Sequence, residues 1–283
     1  MADSIVDSGR QINLDEGEGR IVNGVWSDDI RGLCSQLQME FMCKNKLYFN
    51  DTYMTYFTYN NIDWVPVSVS EIMASDGNWT YNVIAYPKSI YKPIYQPCLD
   101  TATLASALGL LLSPTSEILK IKCPVINMYS GYLIKEVRRQ SFNNAALSGD
   151  LGNAYFIYID SKYLHSITWK KLIASNALDL TVPTEIVQGT DIVKHVQDEI
   201  ITDFKITQHP KVWHEEDFLY RIMKDKFDIF STYPTYFANM YTMKFGNTSV
   251  FDQTQKFLCI RSSFEFTKAN GYTNTFARIS LEG

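Results

Sequence analysis

The sequence predicts an α+β protein of mixed strands and helices, with a C-terminal β-hairpin and a flexible N-terminal arm. Three observations carry this. Strand-rich stretches lie toward both ends, with helical patterns between them that do not alternate as a doubly wound sheet requires. Residues 256–266 and 273–281 read as two strands around Asn270, Gly271 and Tyr272, a hairpin signal. Residues 1–24 are polar and acidic, with Asp15, Glu16 and Glu18 beside Gly17 and Gly19, the composition of an arm that orders only when something holds it. The expected organisation is therefore an arm over 1–24 and one α+β domain over 25–283, a two-lobed split near 141–153 being the alternative.

Taken in order, the elements have local reasons. Ser27 with Asp28 and Asp29 resembles a helix start, and Ile30, Leu33, Leu37 and Phe41 follow at helical spacing, which predicts a helix toward Lys44 and Lys46. Residues 47–59 are aromatic- and Thr-rich and predict a strand ended by Asn60 and Asn61. Strand patches follow at 64–69 and 79–86, then a Pro-broken extended segment over 87–97. Asp100 or Thr101 would cap a nearly all-apolar helix running to Leu112. Residues 117–137 predict one or two strands, 141–153 a loop, 154–159 a central strand and 166–175 a helix. A strand at 181–188 and helices at 191–204 and 215–230 complete the chain before the hairpin. In that hairpin, Ile260, Phe264 and Phe266 are expected on the same face as Ala277, Ile279 and Leu281, with Phe264 in the core.

Composition bounds the function. The 283 residues are 46% hydrophobic and 20% charged, which excludes a disordered chain. The net charge of −5 argues against a duplex nucleic acid as partner, because phosphate binding runs on a basic surplus. Five cysteines without a CxxC spacing give no zinc-ribbon or thioredoxin pattern, and the expectation is reduced thiols. The first residues lack a basic and then apolar leader, so no classical secretory signal is expected. The longest apolar stretch, over 104–112, is shorter than the roughly 20 residues that span a bilayer.

Motif chemistry is sparse. The chain has no Walker phosphate loop, no dinucleotide fingerprint, no GxSxG elbow and no HExxH. The densest ligand-type cluster is His209, His214 and Glu215, extended by Glu216 and Asp217; imidazole with carboxylate can hold a metal, but acids at a helix start are also what the helix dipole favours. No cofactor is expected. The aromatic content of 14%, with 18 tyrosines, fits an amphipathic contact surface. Candidate interface residues are the apolar pairs Ile5 and Val6, and Ile21 and Val22, in and beside the arm, with Tyr91, Tyr95, Tyr233 and Tyr236 from the Pro-flanked stretches.

These readings point to a structural or assembly subunit of a large complex, of the kind found in a virus or bacteriophage particle (neck, tail, ring or capsid-associated). Its partners would be other protein subunits in a homo- or hetero-oligomer, without a membrane. Its place would be the cytoplasm or the assembled particle. The competing expectations are an enzyme with a non-local site near His209–Asp217 and a carbohydrate-binding module using aromatic platforms.

Overall fold

The computed structural model describes residues 4–7, 10–13, 19–49, 56–94, 102–121, 128–160, 163–182, 215–231, 237–245, 256–265 and 271–281. It confirms a mixed α+β chain with a C-terminal pair of strands. Two compact units exchange chain several times. The first holds Met1–Val137, Ile157–Ser166 and Ser263–Gly271; the second holds Arg138–Phe156, Ile167–Ser262 and Tyr272–Gly283.

The first unit is built on an antiparallel sheet. Its strands are β1 (Ser4–Asp7), β2 (Arg10–Asn13), β3 (Gly19–Asp29), β4 (Gln36–Cys43), β5 (Tyr56–Tyr59), β6 (Ile62–Met73) and β7 (Trp79–Pro87). Their spatial order is β3-β4-β7-β6-β5-β1-β2. The expected helix over 27–46 is corrected to the end of β3, a turn, and β4. Leu37 and Phe41 fit a helical period, but Leu37, Met39, Phe41 and Cys43 also alternate, and it is this alternation that is buried. Asp28 and Asp29 therefore close a strand and do not open a helix.

The boundary expected at residue 24 falls inside β3. Within the stretch read as an arm, β1 pairs with β2 and also with β5, from Ser4↔Thr58 to Val6↔Tyr56. The strand expected over 47–59 is confined, among the described residues, to β5. Asn60 and Asn61 both take positive φ (51° and 60°) between the paired Tyr59 and Ile62, the two-residue turn that matches strand twist.

The core of this unit lies on one face of β4 and β7. Leu37 sits opposite Ala85, Met39 opposite Val83 and Phe41 opposite Tyr81, and the Phe41 and Tyr81 rings stack at 5.2 Å. Trp64 closes one side, its ring edge-on to Trp26 at 5.0 Å. Leu47 donates its backbone N–H to the Tyr81 hydroxyl at 2.7 Å, so residues after β4 fold back over the same face. Burial of such aromatics contributes about 25 cal/mol per Å² of apolar surface removed from water.

Several short elements follow. A 3-10 turn at Lys88–Tyr91 and β8 (Pro93–Ile94) occupy the Pro-broken segment. The apolar helix is shorter than expected: after β9 (Ala102–Thr103), α1 covers Leu104–Leu108. Thr103 caps it by accepting from the Ser106 N–H, and Gly109 ends it with φ 66°. Leu111–Leu112 (β10) then pairs in parallel with β14 (Tyr163–Thr168), a strand the sequence reading missed. Lys120–Ile121 (β11) and Met128–Tyr129 (β12) are the strands read within 117–137. Residues 130–137 of that range, and the first half of the expected loop at 141–153, are helix α2 (Ser130–Leu147). Asn143, Asn144, Ser148 and Gly149 suggested a loop, but Ile134, Arg138, Phe142 and Ala145 form a buried helical stripe that overrides them.

In the second unit, strand β13 (Tyr155–Asp160), which begins there, precedes β14, and α3 (Trp169–Ala174) matches the helix expected near 166–175. Strand β15 (Leu178–Val182) reaches the first two residues of the strand expected at 181–188, the rest of which lies outside the described residues, and it pairs in parallel with β17 (Met240–Phe245). The expected helix over 215–230 is corrected to α4 (Glu215–Ile222) followed by β16 (Met223–Ser231). The hairpin is present as β18 (Lys256–Glu265) and β19 (Gly271–Ile279), and β19 pairs with both β16 and β18. Ile229, Tyr241, Met243, Phe257, Cys259 and Phe276 form an apolar core there. A second aromatic group joins Phe156, Trp169, Phe218 and Phe237. The helix expected at 191–204 lies outside the described residues.

Candidate assembly surface

Strand β6 is long because it runs beside β7 for almost its whole length, from Trp64↔Pro87 to Met73↔Trp79. Its other side is paired only at its start, where Ile62–Trp64 meets Phe57–Tyr59. Among the described residues no strand pairs that side beyond Trp64. Pro66 and a bulge before Ser68 interrupt the base of this edge, both ordinary guards of an edge strand. Beyond the bulge the guards stop. Val69, Ile72 and Met73 are exposed by 36%, 63% and 61%.

The register says which way these side chains face. Val69 lies opposite Val83, Glu71 opposite Tyr81 and Met73 opposite Trp79, so Val69, Glu71 and Met73 extend the core face of the sheet outward. Ile72 lies opposite Thr80 on the other face. Glu71 is the one acid along Ser68–Met73, and Lys46 holds it at 2.7 Å, with the Lys46 ammonium 4.6 Å from the Trp79 ring centre. The Ala74 N–H bonds Asn78 O, and Gly77 takes φ 83°, which closes the tip tightly. This is an extended, mostly uncharged edge with apolar side chains. The alternating Val-Ser-Val-Ser of residues 67–70 was its sequence signal, although the sequence reading ended the strand patch at 69.

A second feature of the first unit is a polar staple. The Ser35 N–H bonds Ile159 O, and the Ile159 N–H bonds Leu33 O, which ties the turn after β3 to β13. Beside it, Asp28 Oδ1 accepts from Ser35 Oγ at 2.6 Å and from the Tyr158 hydroxyl at 2.8 Å. Burial raises the Asp28 carboxyl above its usual range, and the two hydrogen bonds pull the other way. Burial, helped by the Asp28 charge, pushes the Cys34 thiol up to about 12, so it stays protonated and is a poor nucleophile. His165 Nε2 and Asp160 Oδ2 lie 2.5 Å apart.

The sequence-predicted site residues are distributed as follows. Ile5 and Val6 lie on β1 and pair with Phe57 and Tyr56. Ile21 and Val22 are half-buried on β3 beside a register shift, and Ile21 packs against the core. Tyr91 is half-buried in the 3-10 turn. Tyr95, Tyr233 and Tyr236, like His209 and His214, lie outside the described residues. Glu215 opens α4 and accepts from Arg138 Nε at 2.5 Å. Among the described residues no group of three or more His, Cys, Asp or Glu side chains is placed to hold a metal ion. Among them, too, no helix is long and apolar enough to cross a membrane.

No protein-family model matches this sequence, and no curated protein matches it. Solved structures do resemble the fold. The tail protein from Neisseria meningitidis MC58 aligns with a TM-score of 0.52 at 8% identity, over 98% of this chain and 96% of its own. The 43 kDa tail protein of prophage MuSo2 from Shewanella oneidensis gives 0.52 at 10% identity, over 98% of both chains. The E. coli c3393 protein, a component of the type VI secretion system described as similar to T4 bacteriophage tail proteins gp27 and gp5, gives 0.52 at 10% identity, over 98% of this chain and 77% of its own. The chain thus has the fold of these proteins over nearly its whole length, on a sequence that shares at most 10% identity with any of the three.

Proposed function

We propose that this chain is a structural subunit of a phage-tail-type particle and acts by protein–protein contacts. The observation that carries the reading is a fold shared with two tail proteins over 96% and 98% of their lengths. An unguarded sheet edge with apolar side chains suits the same role, since exposed apolar surface of this kind marks interaction sites. The partners are other protein subunits, and the chain's place is the assembled particle. The arm over 1–24 and the pairs Ile5–Val6 and Ile21–Val22 would contribute to contacts between subunits, as would Tyr91, Tyr95, Tyr233 and Tyr236.

The test is the mass and shape of the purified chain, alone and with the products of its neighbouring genes, by light scattering and negative-stain electron microscopy. Defined annular or tubular particles, or a stoichiometric complex with a neighbour, are expected. A chain that stays monomeric alone and binds none of those products would overturn the reading.

A further inference from the structure

Peroxides act on thiolates and on exposed thioethers, so ionisation and exposure decide which sulfur reacts first. The described cysteines offer little. Cys43 and Cys259 are buried. The Cys34 thiol, pushed up to about 12, is ionised in roughly 1 molecule in 100,000 at neutral pH. The methionines differ more sharply. Among those whose side chains are described, Met39, Met223, Met240 and Met243 are buried and Met42 is half-buried. Met73 alone is exposed, by 61%. It ends β6 at the hairpin tip, on the face of Val69 and opposite Trp79. The tip is closed without the Met73 side chain. Asn78 donates its backbone N–H and its amide to Asp76 at 2.9 and 2.7 Å, and the Gly77 N–H bonds Ala74 O. A polar group on the Met73 sulfur therefore changes the surface there and empties no core site.

We propose that Met73 is a site of reversible oxidation by peroxides, which turns the apolar end of β6 polar and leaves the described thiols reduced. With hydrogen peroxide the O–O bond breaks. One oxygen forms the S=O bond on the Met73 sulfur and the other leaves as water. The sulfur gives up two electrons and the peroxide takes them. The product is the sulfoxide, which methionine sulfoxide reductases return to the thioether. The site stands independently of the assembly reading.

The test is a time course of hydrogen peroxide on the dilute full chain at neutral pH, followed by peptide mapping with mass spectrometry. Met73 is expected to gain one oxygen at least about tenfold faster than Met39, Met223, Met240 and Met243, and before Cys34, Cys43 or Cys259 changes. Circular dichroism is expected to stay the same while Met73 is the oxidised position among these. Treatment with both classes of sulfoxide reductase, one for each epimer, is expected to restore the thioether. Peroxide should also shorten the retention of the chain on a hydrophobic-interaction column. Met73→Leu keeps an apolar side chain that cannot be oxidised, and it should remove at least about half of that shift.

Three results would overturn the inference. Oxidation of Met73 no faster than that of the buried methionines would mean that its sulfur is covered in the isolated chain. Modification of Cys34 ahead of Met73 would mean that the thiol is the peroxide target. A retention shift of the same size in Met73→Leu as in the wild type would place the change of polarity elsewhere.

Discussion

Tyr158 donates its hydroxyl hydrogen to Oδ1 of Asp28 at 2.8 Å, joining positions 130 residues apart. Ser35 Oγ donates to the same oxygen. Burial is the largest influence on this carboxyl and raises it above its usual value of 3.8, so the folded chain holds the proton more tightly than the unfolded chain does. The sign of the linkage follows. The Asp28 contribution is most favourable below about pH 3.8 and is lost as pH rises through the raised value. Asp28→Asn keeps an oxygen acceptor and removes the titration. Urea midpoints for the two proteins should converge toward acid pH, and by pH 7 the variant should be at least as stable. A difference that does not vary with pH would refute this account.

Asn274 is buried completely on β19, opposite Ile229, and among the described residues neither end of its amide has a hydrogen-bond partner. It lies two residues from Phe276 and so on the same face, toward apolar neighbours. An unmet buried polar group costs about 1–3 kcal/mol. Asn274→Leu, of similar size, is expected to raise stability by about that amount, seen as a higher urea midpoint at unchanged slope. A lower midpoint would mean that an internal water completes the amide's bonds.

How much of this was legible depends on which period each segment obeys. The C-terminal strands, β13, α3 and the Asn60–Asn61 turn followed from alternation, apolar runs and turn residues. Residues 27–46 did not, because Leu37 and Phe41 satisfy a helical and a strand period together, and only the neighbours β3 and β7 decide between them. Residues 223–231 failed for a related reason: a helix runs directly into a strand at Ile222–Met223 with no Gly or Pro to mark the change. The β6 edge was half legible, since alternation predicts a strand but not which of its two sides stays open. The Asp28–Tyr158 bond was not legible, because nothing local to either residue names the other.

Arg138 is nearly fully buried on α2, and its Nε donates to Glu215 on α4 at 2.5 Å. The guanidinium also lies 5.9 Å from the centre of the Phe156 ring. Glu215→Ala removes this carboxylate from beside the cation and should cost up to about 3 kcal/mol, the lower end for a broken buried pair because Glu215 is itself partly exposed. Adding Arg138→Met should recover most of the loss, since an apolar side chain of similar length fills the site without charge. A double-mutant cycle that includes the Arg138→Met single variant, read by urea denaturation, gives both numbers; losses that simply add in the double variant would show that the pair contributes nothing.

The two strands of the hairpin carry phenylalanines that differ in burial. Phe276 on β19 is fully buried, with its ring edge-on to Tyr241 at 5.5 Å. Phe264, expected to face the core, is only half-buried near the end of β18. Phe276→Ala therefore removes a whole ring from close-packed surroundings and should destabilise by about 3–5 kcal/mol. Phe264→Ala gives up less apolar area and leaves no closed cavity, so its cost should fall below half of that. Denaturation of the two variants side by side decides the matter. Equal losses would mean that Phe264 is covered in solution by a neighbouring chain, and the loss at Phe264 would then shrink when the protein is diluted.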